Sequence, residues 1–267
     1  MRYLFLLFVF FIVRLVVPAQ VKMCAWNLEN FGRSKTDSMM MVITATLKQF
    51  DLVCISEVVA GNGGAQAVAR LADALNRTGA KWDYTISDPT SGPNGTERYA
   101  FLWKTHVLRK KGDAWLDKTY HLEIEREPYF VAYQYGQKEF MVGVFHAIPK
   151  SKNPESEIKY LKWIDTLYNG RTVLYCGDFN CPQSNNVFNP LRARGYLPAL
   201  VNQKTTLKQK PVGNECLASE FDNIFYKPSQ VLFIRSGVVS FYEGFPSLRH
   251  ARRVSDHLPV YLEFEPR

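Results

Sequence analysis

The sequence has no run of about 20 apolar residues, the length a helix needs to cross a bilayer. Its longest apolar stretch, Tyr3 to Val13, is shorter and is followed by Arg14. No Gly/Ser-rich or Pro-rich linker, low-complexity segment or repeat interrupts the middle. A chain of 267 residues built this way reads as one domain, not as an array or a tethered pair. Cysteine is sparse: there are five, with no CxxC and no Cys/His spacing, which argues against a zinc site. Acidic residues are in deficit, 25 against 33 basic ones, giving a net charge of +8. Such a surface favours polyanions such as nucleic acid or acidic headgroups. With 46% hydrophobic and 22% charged residues, the composition excludes disordered and fibrous classes.

What is present begins with an export signature. Met1-Arg2 gives a positive start, Tyr3 to Val13 an apolar core, and Val17-Pro18-Ala19 small residues before Gln20. Residues 1–19 are therefore expected to be a signal peptide, with a single domain over residues 20–267 and a secreted or periplasmic product. Removing Arg2 and Arg14 leaves a charge of about +6, so the preference for polyanions survives. Cys24, Cys54 and Cys176 sit in apolar, strand-like runs and read as small core residues. Cys181 and Cys216 lie in loop-like sequence and are the disulfide candidates in an oxidising compartment.

Buried strands are expected at Val21–Leu28, Asp51–Ser56 and Thr172–Cys176. Further strands are expected at Trp82–Ser87, Tyr99–Trp103, Tyr129–Tyr135, Glu139–His146, Phe221–Tyr226, Val231–Ser240 and Leu258–Phe264. Helical spacing marks Asp37–Phe50, Gly64–Asn76 and Glu155–Tyr168, the last with a stripe of Ile158, Leu161, Ile164 and Leu167. Two sheets packed face to face with helices outside would use these pieces well.

Polar residues recur where the buried strands end. Trp26-Asn27-Leu28-Glu29 ends the first, Ser56-Glu57 the second, and Gly177-Asp178-Phe179-Asn180 follows the third. Phe221-Asp222 opens a late strand and Ser255-Asp256-His257-Leu258-Pro259 precedes the last. Brought to one rim, Asn27, Glu57, Asp178, Asn180 and Asp256 would offer hard oxygen ligands suited to Mg²⁺, Mn²⁺ or Ca²⁺. His146 and His257 suit general acid and base work near neutral pH. Phosphodiester hydrolysis needs such a set: charge neutralisation at phosphate, a base for water and an acid for the leaving oxygen.

Taken in order, the W-N-L start, G-D-F-N and S-D-H-L-P resemble the endonuclease/exonuclease/phosphatase superfamily. The resemblance runs from about Val21 to the C-terminus. Glu97-Arg98-Tyr99, Arg126-Glu127-Pro128 and His146-Ala147-Ile148-Pro149 are most similar to its deoxyribonuclease I branch. The resemblance implies an α/β fold, a four-layer αββα sandwich of two mixed β-sheets with outer helices. It implies Asn27, Glu57 and Asp256 at a catalytic Mg²⁺, with Mn²⁺ or Ca²⁺ substituting, and Asp178 and Asn180 orienting water, metal or phosphate. It implies His146 paired with Glu97 as acid, His257 paired with Asp222 as base, and Arg126 on a DNA phosphate. The chain departs from that branch at Val59, where the branch has an arginine, and at Gly95, where it has a tyrosine. Both family residues touch the DNA minor groove, so groove reading is not carried over, and neither are the branch's calcium sites.

Arg249, Arg252 and Arg253 precede the S-D-H motif and are candidate DNA contacts, as are Lys204, Lys208 and Lys210. The expected function is metal-dependent, weakly specific endonucleolytic cleavage of DNA by a monomer, with RNA a further substrate and no membrane association after processing. The alternatives are hydrolysis of lipid headgroups or inositol phosphates, and a non-catalytic binding module on the same fold.

Overall fold

The computed structural model describes residues 20–93 and 95–267. The expected export segment, residues 1–19, lies outside the described residues. In β1 (Val21–Phe31), Val21, Met23 and Ala25 pack to one side and Cys24, Trp26 and Leu28 to the other. Successive side chains of a strand face opposite ways, so a strand with an unbroken apolar run such as Met23–Trp26 has to lie between two layers.

The rest of the chain supplies those layers. After β1 come α1 (Asp37–Leu47), β2 (Leu52–Val59), α2 (Asn62–Asn76), β3 (Trp82–Ile86) and β4 (Glu97–Lys104). Then follow β5 (Arg109–Leu116), β6 (Tyr129–Tyr135), β7 (Lys138–His146), the short helices α3 (Glu155–Ile158) and α4 (Leu161–Leu167), and β8 (Val173–Asp178). The order closes with α5 (Asn189–Ala193), β9 (Leu197–Pro198), β10 (Leu207–Val212), β11 (Glu215–Leu217), β12 (Asp222–Tyr226), β13 (Val231–Val238), α6 (Leu248–Ala251) and β14 (Val260–Pro266).

One six-stranded sheet runs β13-β14-β1-β2-β4-β3 and the other β5-β6-β7-β8-β12-β9, with β10-β11 a separate ribbon. Both sheets are mixed: β1 with β2 and β7 with β8 are parallel. Between the sheets, Met23, Cys54 and Phe101 of one face Val142, Leu174 and Cys176 of the other. Outside, Trp26, Val53 and Ile55 pack on α1 and α2, and Phe130, Met141 and Tyr175 pack with α4 and α5. Helix, sheet, sheet, helix is the four-layer α/β sandwich expected above.

Local expectations needed correction. The helix read over Glu155–Tyr168 is two helices separated at Lys159–Tyr160. Glu157, within the first, is turned inward, and its carboxylate accepts from Glu125 N (2.7 Å) and Ile148 N (2.8 Å). The stripe ends early, because Leu167 is exposed. The disulfide is absent: Cys181 and Cys216 are free thiols. They pack on different cores, Cys181 beneath α5 and Cys216 on the α1–α2 side. A disulfide needs Cα atoms within about 7 Å, so placement on separate layers forbids it.

Asp165 of α4 joins three segments. Its buried carboxylate accepts from Tyr196 Oη (2.6 Å), Arg194 Nε (2.5 Å) and Lys227 Nζ (3.2 Å). Burial pushes this carboxyl up, but the Tyr196 and Arg194 hydrogen bonds and the Lys227 charge outweigh it, and its pKa is lowered. A lowered folded pKa contributes stability that is complete above the unfolded value and is lost as pH falls through the folded one. Asp165→Asn is expected to cost about 2–3 kcal/mol at neutral pH, since it strips the charge from a buried pair. The gap to the native protein should narrow as pH falls below the ordinary carboxylate range. Urea unfolding from neutral pH downward measures it; a gap that widens in acid contradicts this account.

Candidate active site

Parallel strands leave their C-terminal ends at one rim, and antiparallel strands begin there. β1 and β2 carry Asn27 and Glu57 to that rim, and β7 and β8 carry His146 and Asp178, which are paired in register. Asp222 opens β12 opposite Asp178, and Glu97 opens β4 opposite Val59. Asp256 and His257 lie just before β14, the antiparallel neighbour of β1.

The backbone is forced at these exits. Glu57 has φ 58°, Asn180 φ 48°, Glu29 φ 34° and Asn30 φ 55°. Positive φ outside glycine costs of order 1 kcal/mol or more and persists where the surroundings compel it. Hydrogen bonds hold these turns: Asn30 N donates to Glu57 Oε2 (3.1 Å), Glu57 N to Glu97 Oε1 (3.2 Å) and Asn180 N to Asp178 Oδ1 (2.8 Å). Gly177 is required, because at φ 128° an added Cβ would overlap the Phe145 carbonyl oxygen.

Asp178 is the hub. Its Oδ2 lies 3.4 Å from His146 Nε2 and 3.6 Å from His257 Nε2, and accepts from Asn27 Nδ2 at 3.2 Å. Each imidazole is held from behind by its own carboxylate. His146 Nδ1 sits 2.9 Å from Glu97 Oε2, and His257 Nδ1 sits 2.8 Å from Asp222 Oδ2. Beyond them, Glu57 Oε1 is 3.9 Å from His146 Nε2 and Asp256 Oδ1 is 3.9 Å from His257 Nε2. The structure thus brings Asn27, Glu57, Glu97, His146, Asp178, Asp222, Asp256 and His257 together at one rim. Asn180 turns slightly aside, its amide donating to Ala147 O (3.0 Å).

Burial sets the charge states. It pushes the Asp178 carboxyl up, but the two histidine charges outweigh it and hold that pKa down. Burial pulls both imidazoles down, yet Glu97 raises His146, and Asp222 with Asp178 raises His257 well above its ordinary value. Glu97 is held low by His146 and Arg126 against its own burial.

The donors fit a hard divalent cation. Burial first, then the charges of Asp256 and Glu57, push the nearby Glu29 carboxyl up, with Lys35 and Arg252 opposing. Glu57, Asp178 and Asp256 would hold such an ion, which suits oxygen-rich sites. Asn27 stands differently from expectation: its Nδ2 faces Glu57 Oε1 (2.8 Å) and Asp178, and its Oδ1 accepts from Glu29 N (3.0 Å). In this rotamer Asn27 bridges the two carboxylates as a donor. Asp178, Asp222 and His257 also bring ligand-type atoms within 4.8 Å of one another, but their shared atoms are engaged in hydrogen bonding.

The expected DNA contacts divide. Arg126 is buried, not a free surface grip, and pairs with Glu97 (3.3 Å) and His146 Nδ1 (3.2 Å) and donates to Ala147 O. It still borders a cavity shared with Glu57 and Gly95. Arg252 is half-buried, held on Asp256 (3.2 Å) and Leu207 O. Arg249 and Arg253 are exposed.

Other residues support the site without having been singled out. The buried Lys35 ammonium donates to Val254 O (2.8 Å) and Arg253 O (3.3 Å), fixing the loop before Asp256. Thr205 Oγ1 donates to Asp222 Oδ2 (2.7 Å), and Ser255 Oγ donates to Asn27 O (2.6 Å). Lone hydroxyls and one lysine in loops carry no sequence signal for such roles.

Residues 24–257 match the family model described as the Endonuclease/Exonuclease/phosphatase family. A deoxyribonuclease of Thioalkalivibrio sp. (strain K90mix) is 26% identical over 273 residues, covering 92% of this chain and 72% of that one. Deoxyribonuclease gamma of Rattus norvegicus is 24% identical over 285 residues, covering 96% and 88%. Among solved structures, a Bacteroides thetaiotaomicron VPI-5482 mannosyl-6-phosphatase superposes with a TM-score of 0.68 at 20% identity, covering 92% and 99%. That last likeness is one of fold.

Proposed function

The chain belongs to the Endonuclease/Exonuclease/phosphatase family, and from that premise we propose that it is a divalent-metal-dependent endonuclease that hydrolyses DNA with low sequence specificity. The observation that carries the reading is the pair of imidazoles, each backed by a carboxylate at Nδ1 and turned at Nε2 toward Asp178. Hydrolysis of a diester needs one group to take a proton from water as it attacks phosphorus, and another to return one to the departing ester oxygen. His257 fits the base in its neutral form: Asp222 behind it strengthens the ring as a proton acceptor and stabilises the imidazolium that forms, and because Asp222 and Asp178 raise its pKa that neutral form grows as pH rises. His146, held on its cationic side by Glu97, fits the acid. A bound Mg²⁺ would neutralise the phosphate and lower the cost of charge developing on its oxygens. Glu57, Asp178 and Asp256 would hold it, and Asn180 would orient water or phosphate.

DNA as substrate is supported by the names of the deoxyribonuclease relatives and by the net charge of +8. Residues 1–19 support export, with the mature monomer outside the cytoplasm.

Purified protein incubated with supercoiled plasmid and Mg²⁺ or Mn²⁺ is expected to yield nicked circles before linear DNA. RNA, inositol phosphates and phospholipid headgroups run beside it. Hydrolysis confined to the last two would move the reading to the alternative. Protein taken from the medium or periplasm for this assay is expected to begin at Gln20.

A further inference from the structure

The β10–β11 ribbon stands over an open groove of about 570 Å³ that begins at the reaction centre. His257, Asp256 and Asn180 form its inner wall, and Lys208, Gln209 and Lys210 its outer one. A regular strand would turn every second side chain away. Here the ladder is irregular between Leu207 and Val212, and three successive residues line the groove.

The two ribbon lysines differ from the other cations nearby. Arg252 is committed to Asp256 and Leu207 O, and Lys204, at the base of the ribbon, pairs with Glu215 at 3.1 Å. Among the described residues, no salt bridge within 4 Å engages Lys208 or Lys210. The half-buried ring of Phe221 also lines this groove, next to Asp222. Lys208 acts on Glu215 only through its charge, without an ion pair; cations outside ion pairs beside an aromatic face are what a nucleic-acid strand needs, with phosphates on the ammonium groups and a base against the ring.

We propose that the β10–β11 ribbon is a strand-binding subsite, in which Lys208 and Lys210 grip the phosphates flanking the scissile one on the His257 side and Phe221 carries a flanking base. The inference rests on the phosphodiesterase reading of the catalytic rim and adds what that rim selects: a polymer, held through its backbone, over a small diester.

The test compares Lys208→Gln/Lys210→Gln with the native protein and with Lys138→Gln, an exposed lysine at the end of β7 opposite His146. Two substrates are used, a DNA duplex and bis(p-nitrophenyl) phosphate, which is too short to reach the ribbon. On DNA, KM of the double variant should rise about tenfold at low salt. The slope of log KM against log salt should flatten by about 1.5–2, the release expected when two phosphate contacts go. Activity on the small diester should be unchanged, and Lys138→Gln should match the native protein on both substrates. Equal KM and equal salt slope on DNA would overturn the proposal. So would a loss of equal size on both substrates, because the lysines would then act at the reacting phosphate. A native protein that cleaves neither substrate would instead refute the phosphodiesterase reading, a result distinct from failure of the subsite.

Discussion

Replacing His257 by alanine is expected to lower the rate constant for DNA cleavage by about 10²- to 10⁴-fold, the usual contribution of one general acid or base. The backbone around it should stay in place. His257 O accepts from Trp26 Nε1 (2.8 Å) and His257 N donates to Ser255 Oγ (2.9 Å), and neither bond involves the ring. The side-chain loss falls on Asp222. Burial has already pushed that carboxyl up to about 6, and without the imidazole it keeps only the Thr205 hydroxyl. Alanine is therefore expected to cost about 1–3 kcal/mol of stability as well, the penalty of a buried group that has lost its partner. His257→Asn separates the two effects, since its amide can still donate to Asp222 but cannot take a proton from water. Single-turnover cleavage with thermal unfolding of both variants is the measurement. Rates within tenfold of native in the asparagine variant would remove His257 from proton transfer.

That assignment was legible in the sequence because the chemistry sits where strands stop. An apolar run such as Val21 to Leu28 declares a strand buried on both faces, and its polar end marks the rim. Parallel neighbours then pair His146 with Asp178 in register, and Asn27 with Ser56, one residue before Glu57. What escaped notice is polar or local. Arg109–Leu116 forms an edge strand without a fully buried residue, and its charged, glycine-containing start carries little apolar signal. The β10–β11 ribbon is mostly exposed beyond Leu207, so its sequence reads as a basic loop. The α3–α4 break is invisible to helical spacing, because Ile158, Leu161 and Ile164 keep their stripe across it. Arg126 shows the opposite failure. Charge suggests surface, but Arg126 is buried on the Glu97 carboxylate and the Ala147 carbonyl, since a buried guanidinium is tolerable only with such partners.

The other large effect is expected at the crowded acidic edge. Chelation should abolish cleavage, and Glu57→Gln should make it unrecoverable by metal concentrations that saturate the native protein. Stability supplies a readout independent of turnover. Glu57 and Asp256 both raise the Glu29 carboxyl, so the three charges repel one another when no cation intervenes. Lys35 relieves part of this, but its ammonium is spent on the Arg253 and Val254 carbonyls, and burial lowers its pKa. A ligand that binds only the folded state adds about 2.7 kcal/mol at 100 times its dissociation constant. For a domain of this size that is a rise of roughly 5–10 °C in the unfolding midpoint. Native protein should therefore gain stability with Mg²⁺. Glu57→Gln should gain little on adding Mg²⁺, because a ligand carboxylate is gone. The two roles Glu57 could have differ in that Mg²⁺ response. A merely structural carboxylate, hydrogen-bonded to Asn27 and Asn30 N, would lose stability on substitution and leave the Mg²⁺ response intact. Calorimetric melts of both proteins, with and without Mg²⁺, distinguish them.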